Sequence, residues 1–419
     1  MTKARILADY VAGGTTAAEF DYMDGVTSNV QTQMNAKAPL ASPTFTGTTT
    51  VSGDLVPSTP LSNRNIVING GFDIWQRGTT FTSPASASYT ADRWAYLENG
   101  TMTHTITRST DVPTEAQSGY KSNYSMKIDC TTADSSIASD VYNFVVQKIE
   151  GYNIQPLQGN TVTLSFWIKS TKTGTQTICW RNSGLNMNMI KEYTINTTNT
   201  WEKKEITWTF DNSGGTWDYT NGIGGWLCWN LAHGTNFHTT KDAWQSTSGV
   251  MSTSSAVNNT DSTSNDIYLA QVQLELGSSA TPFEHRSWGD ELAKCQRYFQ
   301  LIQGYGQNIP VGSAFWWNNA ELGFMIELVV TMRGPVTVVA PTGTNFYRWV
   351  AGTSTYSTDI TSAYGAGASR GGGGGNNTMH KVIHAYKVSV SGTAGQSGHL
   401  YAQGASFAST EYMAAKSEL

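Results

Sequence analysis

Charge of either sign is scarce in this chain. Only 14% of its 419 residues are Asp, Glu, Lys or Arg, and 26 basic against 31 acidic side chains leave a formal net charge of -5. Nucleic acid and anionic lipid are held by clustered Lys and Arg, so this balance excludes both as partners. Cysteine is scarce too. Cys130, Cys179, Cys228 and Cys295 stand apart with no C-x-x-C pair, which argues against a zinc ribbon or redox motif and predicts buried free thiols. Long apolar runs are missing: no window approaches the roughly 20 residues of a membrane span, and the start, Met1 to Asp9, has no apolar run of signal-peptide length. The expectation is a protein kept in solution with no membrane insertion.

What fills the space is Gly, Thr, Ser and Asn with 14 Trp and 19 Tyr, a β-rich, hydroxyl-coated composition. Alternating runs such as Thr161–Ile168 and Trp201–Phe210, bounded by Gly and Asn clusters, predict strands of a sandwich. Asn65–Trp75 and Asp266–Glu275 read as the first and last strands of one sheet, with Ile267, Leu269 and Gln271 on one side of the last and Tyr268, Ala270 and Val272 on the other. After them Leu292, Cys295, Gln296 and Phe299 share a helical face in a short connecting helix. Phe324–Pro335 and Lys381–Ser391 are again strand-like.

The N-terminal 38 residues read as helical. Met23, Val26, Val30 and Met34 form an apolar stripe of one to two heptads, too short to be stable unless copies from neighbouring chains are held together. Next, Pro39 to Pro60 contains one aromatic, Phe45, and too little apolar area for a single chain to bury. The run Ala38-Pro-Leu-Ala-Ser-Pro-Thr-Phe-Thr-Gly47, with Tyr22–Lys37 before it, resembles the stalk repeat and helical lead-in of bacteriophage tail fibres. That resemblance implies a homotrimer with Leu40, Phe45 and Val51 beside Met23, Val26, Val30 and Met34 on its axis. It also implies assembly in the bacterial host cytoplasm, a place in the virion, and attachment to a tail or baseplate protein through the N-terminus.

The segments Asn65–Trp75 and Asp266–Glu275 are similar to the ends of jelly-roll carbohydrate-binding modules. The expected fold is therefore mainly β: short N-terminal helices (1–38), a thin trimeric β-stalk (39–62), a jelly-roll β-sandwich (63–287) and a distal C-terminal β-sandwich head (288–419). In that module family, segments like those holding Asp73 and Glu275 surround a structural calcium. This chain has Ala270-Gln271 where the family carries adjacent acids, so the match is incomplete and turn-capping carboxylates are the alternative. No other cofactor is expected.

Catalytic patterns fail on inspection. Gly367-Ala-Ser-Arg-Gly371 fits G-x-S-x-G, but glycine-rich flanks leave neither strand nor helix to build the elbow. His380 and His384 fall in a strand-like run, where four residues span about 13 Å and one ion cannot be shared. No short β-helix repeat of the depolymerase type is present, and the expectation is a binding protein rather than an enzyme. Aromatics among amides suit sugar rings, whose CH faces stack on Trp and Tyr. The preferred candidates are Trp317, Tyr347, Trp349, Tyr356, Tyr364 and Arg370 in the distal head, followed by Trp217, Tyr219, Asn236, His238 and Trp244 in the jelly-roll. The implied function is attachment to host surface polysaccharide or lipopolysaccharide, against a capsule-degrading enzyme or a spacer carrying another adhesin.

Overall fold

The computed structural model describes residues 62–210, 214–303, 309–318, 321–334, 336–339, 347–351, 354–358, 362–364, 382–388, 397–402 and 413–419. The chain divides into Met1–Ser58 and Thr59–Leu419. The first unit, with Met23, Val26, Val30, Met34, Leu40, Phe45 and Val51 and the helix and stalk readings, lies outside the described residues, as do Arg370 and His380.

Thirteen strands form the larger part of the second unit: β1 (Thr80–Thr82), β2 (Ser88–Tyr89), β3 (Trp94–Glu98), β4 (Thr103–Ser109), β5 (Ser125–Thr132), β6 (Tyr142–Glu150), β7 (Thr161–Ser170), β8 (Gly174–Asn182), β9 (Asn188–Ile195), β10 (Glu202–Thr209), β11 (Ile223–His233), β12 (Trp244–Gln245) and β13 (Asp266–Leu276). They make one sheet in the order β1-β4-β5-β13-β7-β10 and a second in the order β12-β9-β8-β11-β6-β3-β2. Trp94, Phe166, Trp180, Trp229, Leu164 and Val162 fill the space between them. On the outer side of the second sheet, Val146, Cys179, Ile190 and Cys228 form another apolar cluster, covered by the chain's own Val250 and Met251. The four cysteines are free and buried, as expected from their spacing.

The ends of the jelly-roll do meet, but differently from the strand pair that the sequence suggests. Residues 65–75 form no strand: Asn69 and Phe72 take φ of 57°, and the Asn69 side chain bonds Ile74 and Asp92 instead of a ladder partner. The segment is tied to β13 by Ile66 N donating to Leu274 O (2.8 Å) and Val272 N to Gly70 O (2.9 Å). Gly70 is required there, because a Cβ would stand 2.1 Å from Val272 O. β13 itself carries a bulge between Ala270 and Gln273, with Gln271 at φ 49°. The bulge shifts the alternation by one, so Val272 and Leu274 join Ile267 and Leu269 in the inner core rather than opposing them.

After β13 the helix α1 (Trp288–Gln296) is capped by Ser287 and ends at Arg297, so Phe299 begins a strand and does not continue the helical face. There follow β14 (Phe299–Gln303), β15 (Ile309–Asn318), β16 (Glu321–Glu327), β17 (Thr337–Val339), β18 (Tyr347–Ala351), β19 (Ser354–Thr358), β20 (Ser362–Tyr364), β21 (Val382–Val388), β22 (Ser397–Ala402) and β23 (Met413–Lys416). Seven of them form a sheet ordered β19-β18-β22-β15-β16-β21-β20; the others form a small sheet, β14-β23-β17. His384 lies in β21, the strand that the alternation predicted.

The small sheet is docked on the sandwich through charge. Arg77 bonds Asp92 (2.9 Å) and Glu418 (2.6 Å), and Arg93 shares the same Glu418 carboxylate. Arg77 stacks on Phe299 at 3.6 Å and Arg93 on Tyr298 at 3.5 Å. Glu150, 2% exposed, accepts from Arg297 Nε (3.0 Å) and Nη2 (2.6 Å) and from the Tyr298 hydroxyl (2.6 Å). Arg93 is 1% exposed, so removing its carboxylate partner leaves a buried charge uncompensated. Glu418→Gln is expected to lower stability by about 3–5 kcal/mol, the scale for breaking one side of a buried pair; chemical denaturation measures it.

Burial also sets a pH dependence. His104, with Nδ1 2.8 Å from the Tyr96 hydroxyl, has its pKa pushed down to about 4 by desolvation, and His233 is pushed down to about 3. Below about pH 6.5 the unfolded histidines bind protons that the folded ones refuse, so stability falls as pH falls from there towards 4. Asp92, raised to about 6 mainly by burial, acts in the opposite sense below pH 6, but the two histidine shifts together are larger. Urea unfolding across this range should show declining stability. His104→Gln should make the slope shallower by about one proton; an unchanged slope would remove His104 from the account.

Candidate functional site

The jelly-roll aromatics chosen from sequence serve mainly to close the sandwich. Trp217 and Trp244 meet edge to face at 6.1 Å, and each stands close to Phe210, at 6.3 and 6.0 Å. Phe210 in turn packs at 4.9 Å on the buried Trp180. Their indole N–H groups donate to Gly214 O (2.7 Å) and Thr209 O (2.9 Å). Tyr219 is half-buried nearby in sequence; Asn236 is exposed, with its backbone N–H bonded to Ser139 O. His238 lines a different, 60 Å³ cavity with His233, Gln176 and Asn230, into which neither tryptophan reaches. An end plug of this kind predicts that Trp217→Ala costs about 2–4 kcal/mol of stability while leaving glycan binding unchanged once folded; thermal melts and binding assays separate the two.

In the distal sheet Trp316 is buried and Trp317 follows it on β15. Tyr347 and Trp349 lie on β18, and Trp349 is directly opposite Tyr356 on β19. The structure therefore brings three of the preferred residues to one edge. Tyr364 lies on β20, the opposite edge of the same sheet, and is not part of that group.

The calcium pair does not come together either. Glu275 accepts from Thr281 N (2.8 Å), Thr281 Oγ1 (2.7 Å) and Gln273 Nε2 (2.8 Å), with Arg64 at 3.6 Å. Those donors and a guanidinium occupy the positions where a calcium ion needs oxygen ligands, so Glu275 is a turn cap and does not fit the ion. Asp73 lines a separate cavity to which Glu275 does not contribute. Among the described residues no group of three or more His, Cys, Asp or Glu is placed to hold a metal ion.

One large concavity among the described residues was not visible in the sequence. A groove of about 680 Å³ runs between the sandwich and the small sheet. Arg77, Phe81 and Tyr89 line it from one side, and Phe299, Arg333 and Lys416 from the other, with Thr82, Ser86, Ser88, Thr337 and Ser417 adding hydroxyls. Among the described residues Arg333 bonds only carbonyl oxygens, of Ser417 (2.9 Å), Glu418 (3.1 Å) and Asn221, so its charge is not neutralised by those contacts. Lys416 is exposed. Glu418 is the sole carboxylate on the described lining and is already held by Arg77 and Arg93. The groove is thus electropositive, with the Phe81 and Tyr89 rings on one wall and hydroxyls on both, Phe299 being buried beneath Arg77, and its volume lies in the range of small-ligand sites. Its walls come from positions more than two hundred residues apart in the chain, which is why no local motif marks them.

No protein-family profile matches the chain, and no curated protein matches it in sequence. Among solved structures it is similar to the enzymatically active domain of bacteriophage CBA120 tailspike protein 4, at 16% identity and a TM-score of 0.29 over 51% of this chain. The match spans 21% of that tailspike chain, so most of that protein has no counterpart here. A putative sugar-binding protein from Bacteroides thetaiotaomicron is similar over 51% of this chain and 100% of its own, at 12% identity and a TM-score of 0.30. A carbohydrate-binding module solved with β-1,4-galactotriose covers the same shares at 10% identity and a TM-score of 0.26. Likenesses this distant carry no ligand or activity over to this chain. Among the described residues no helix is long and apolar enough to cross a membrane.

Proposed function

We propose that this chain is a receptor-binding fibre of a bacteriophage tail, a homotrimer anchored to a tail or baseplate protein through residues 1–38. It attaches the virion to host surface polysaccharide or lipopolysaccharide. The stalk-like run Ala38–Gly47 supports the fibre reading. The observation that carries glycan binding is the groove, whose Phe81 and Tyr89 rings and flanking hydroxyls suit sugar rings and whose Arg333 and Lys416 favour acidic ones. Three such sites on one trimer, multiplied over several fibres, raise apparent affinity without any strong single contact.

Binding rather than cleavage is the favoured chemistry. Glycosidases place two carboxyl groups across the scissile bond, whereas the described groove lining offers Glu418 alone, locked in ion pairs. Removing the chain beyond Arg286 would be a poor test of where the receptor binds, because it would strip Glu418 and Tyr298 from Arg93. Point changes on the groove surface avoid that. Full-length protein with Phe81→Ala or Lys416→Glu is expected to lose about tenfold or more in adsorption to host cells, the loss being amplified by multivalency. It should release no reducing ends from host polysaccharide. Unchanged adsorption in both variants would remove the groove from the receptor site, and released reducing ends would favour the depolymerase.

A further inference from the structure

A second cavity, of about 110 Å³, shares no residue with the groove and has the opposite electrostatic character. It is formed by the irregular lead segment at Gly71 and Asp73, the loop holding Tyr120 and Asn123, the stretch after β13, and the start of α1. Aromatic rings make its walls: Tyr120 meets Phe283 edge to face at 5.0 Å and His285 at 6.1 Å. Trp288, in the first turn of α1, is 59% exposed although it lines the cavity, so a large indole face is left to water beside the opening. Leaving this much apolar ring in water is unfavourable unless something covers it.

The cavity also holds three carboxylates, and two are already committed. Glu284 accepts the backbone N–H groups of Arg64 (3.1 Å) and Asn65 (3.0 Å) and lies 3.2 Å from Arg286; Glu291 accepts from Arg286 Nη1 (3.1 Å) and from Asn69 N. Among the described residues Asp73 has one side-chain hydrogen bond, from Asn123 Nδ2 at 3.3 Å, and no salt bridge. Its second oxygen lies beside Gly71, where a Cβ would stand 2.9 Å away, so the glycine keeps that side of the carboxylate open. Against three carboxylates the lining has a single arginine, Arg286, with His285 beside it and Arg108 near enough to act on Asp73, so carboxylates outnumber the arginines.

Aromatic walls around an under-bonded carboxylate are the features that recognise a substituted ammonium, through cation–π attraction and a charge-assisted hydrogen bond. We propose that this cavity binds the ammonium group of a small ligand, such as a free amino sugar or an ethanolamine substituent, with Trp288 covering the ligand's carbon skeleton and Asp73 accepting from its nitrogen. The volume is well below that of sites that engulf a drug-sized ligand, so the ammonium head enters and the rest of the ligand lies outside against Trp288. Burial raises the Asp73 pKa and Glu291 adds to it, while the Asn123 hydrogen bond, His285 and Arg108 act the other way; an incoming cation would favour the ionised carboxylate and so offset the rise. This site does not depend on the groove being the receptor site.

The test is titration of the full-length protein, by calorimetry and tryptophan fluorescence, with glucosamine, ethanolamine, glucose and N-acetylglucosamine. Glucosamine or ethanolamine should bind while glucose and N-acetylglucosamine do not; binding by ethanolamine points to a headgroup-type substituent, and binding by glucosamine alone to an amino sugar. Trp288→Ala and Asp73→Asn should each weaken amine binding by about tenfold, the scale of a desolvated cation–π or charged contact. Trp288 is exposed, so its removal leaves the fold intact even if Asp73→Asn does not. Equal binding of the acetylated and free amino sugars, binding untouched by Trp288→Ala, or no binding of either amine would each overturn the proposal.

Discussion

The buried pairing of Arg77 and Arg93 with Glu418 is the constraint on which the described architecture turns. Arg77 is also held by Asp92, but Arg93, enclosed by protein, is tolerable only with a carboxylate in place, and that carboxylate lies at the far end of the sequence. The chain must therefore return from the distal sheet to the sandwich before the charges are satisfied. Stacking on Tyr298 and Phe299 and the Arg297–Glu150 fork fix the approach of the connecting segment. The groove is a by-product of that return: β17 and β23 supply its second wall.

The aromatic richness of the chain divides between two uses. Most tryptophans in the sandwich are internal, with Trp94, Trp180 and Trp229 in the core and Trp217 and Trp244 plugging one end. The outer face of the second sheet, an extended surface where a ligand might have been sought, is partly sealed by Val250 and Met251. Less conspicuous rings line the two concavities: Phe81 and Tyr89 along the groove, and Trp288 at the helix start.

Groove and cavity differ in sign. One collects Arg333 and Lys416 around hydroxyls and rings, the other Asp73 beneath an aromatic wall. On the proposed reading, two complementary subsites would gain specificity from requiring an anionic and an ammonium group at a matching separation. Neither subsite would need high affinity in the proposed trimer, which presents several copies.

By itself the sequence determined the class of structure. Period-two alternation in Thr161–Ile168 and Trp201–Phe210 is a local signal, and it marked β7 and β10 directly. Spacing likewise argued correctly that the cysteines are free and that His384 belongs to a strand. Where one residue departs from the period, alternation misleads: the bulge at Gln271 put Val272 on the inner face, and positive φ at Asn69 and Phe72 turned an expected strand into an irregular strap. The candidate sites depended on tertiary structure, because Arg77, Phe81 and Lys416, or Asp73 and Trp288, become neighbours only after long loops close. Hydrophobic patterning tells each residue whether it faces core or water, but not which distant residue shares its stretch of surface.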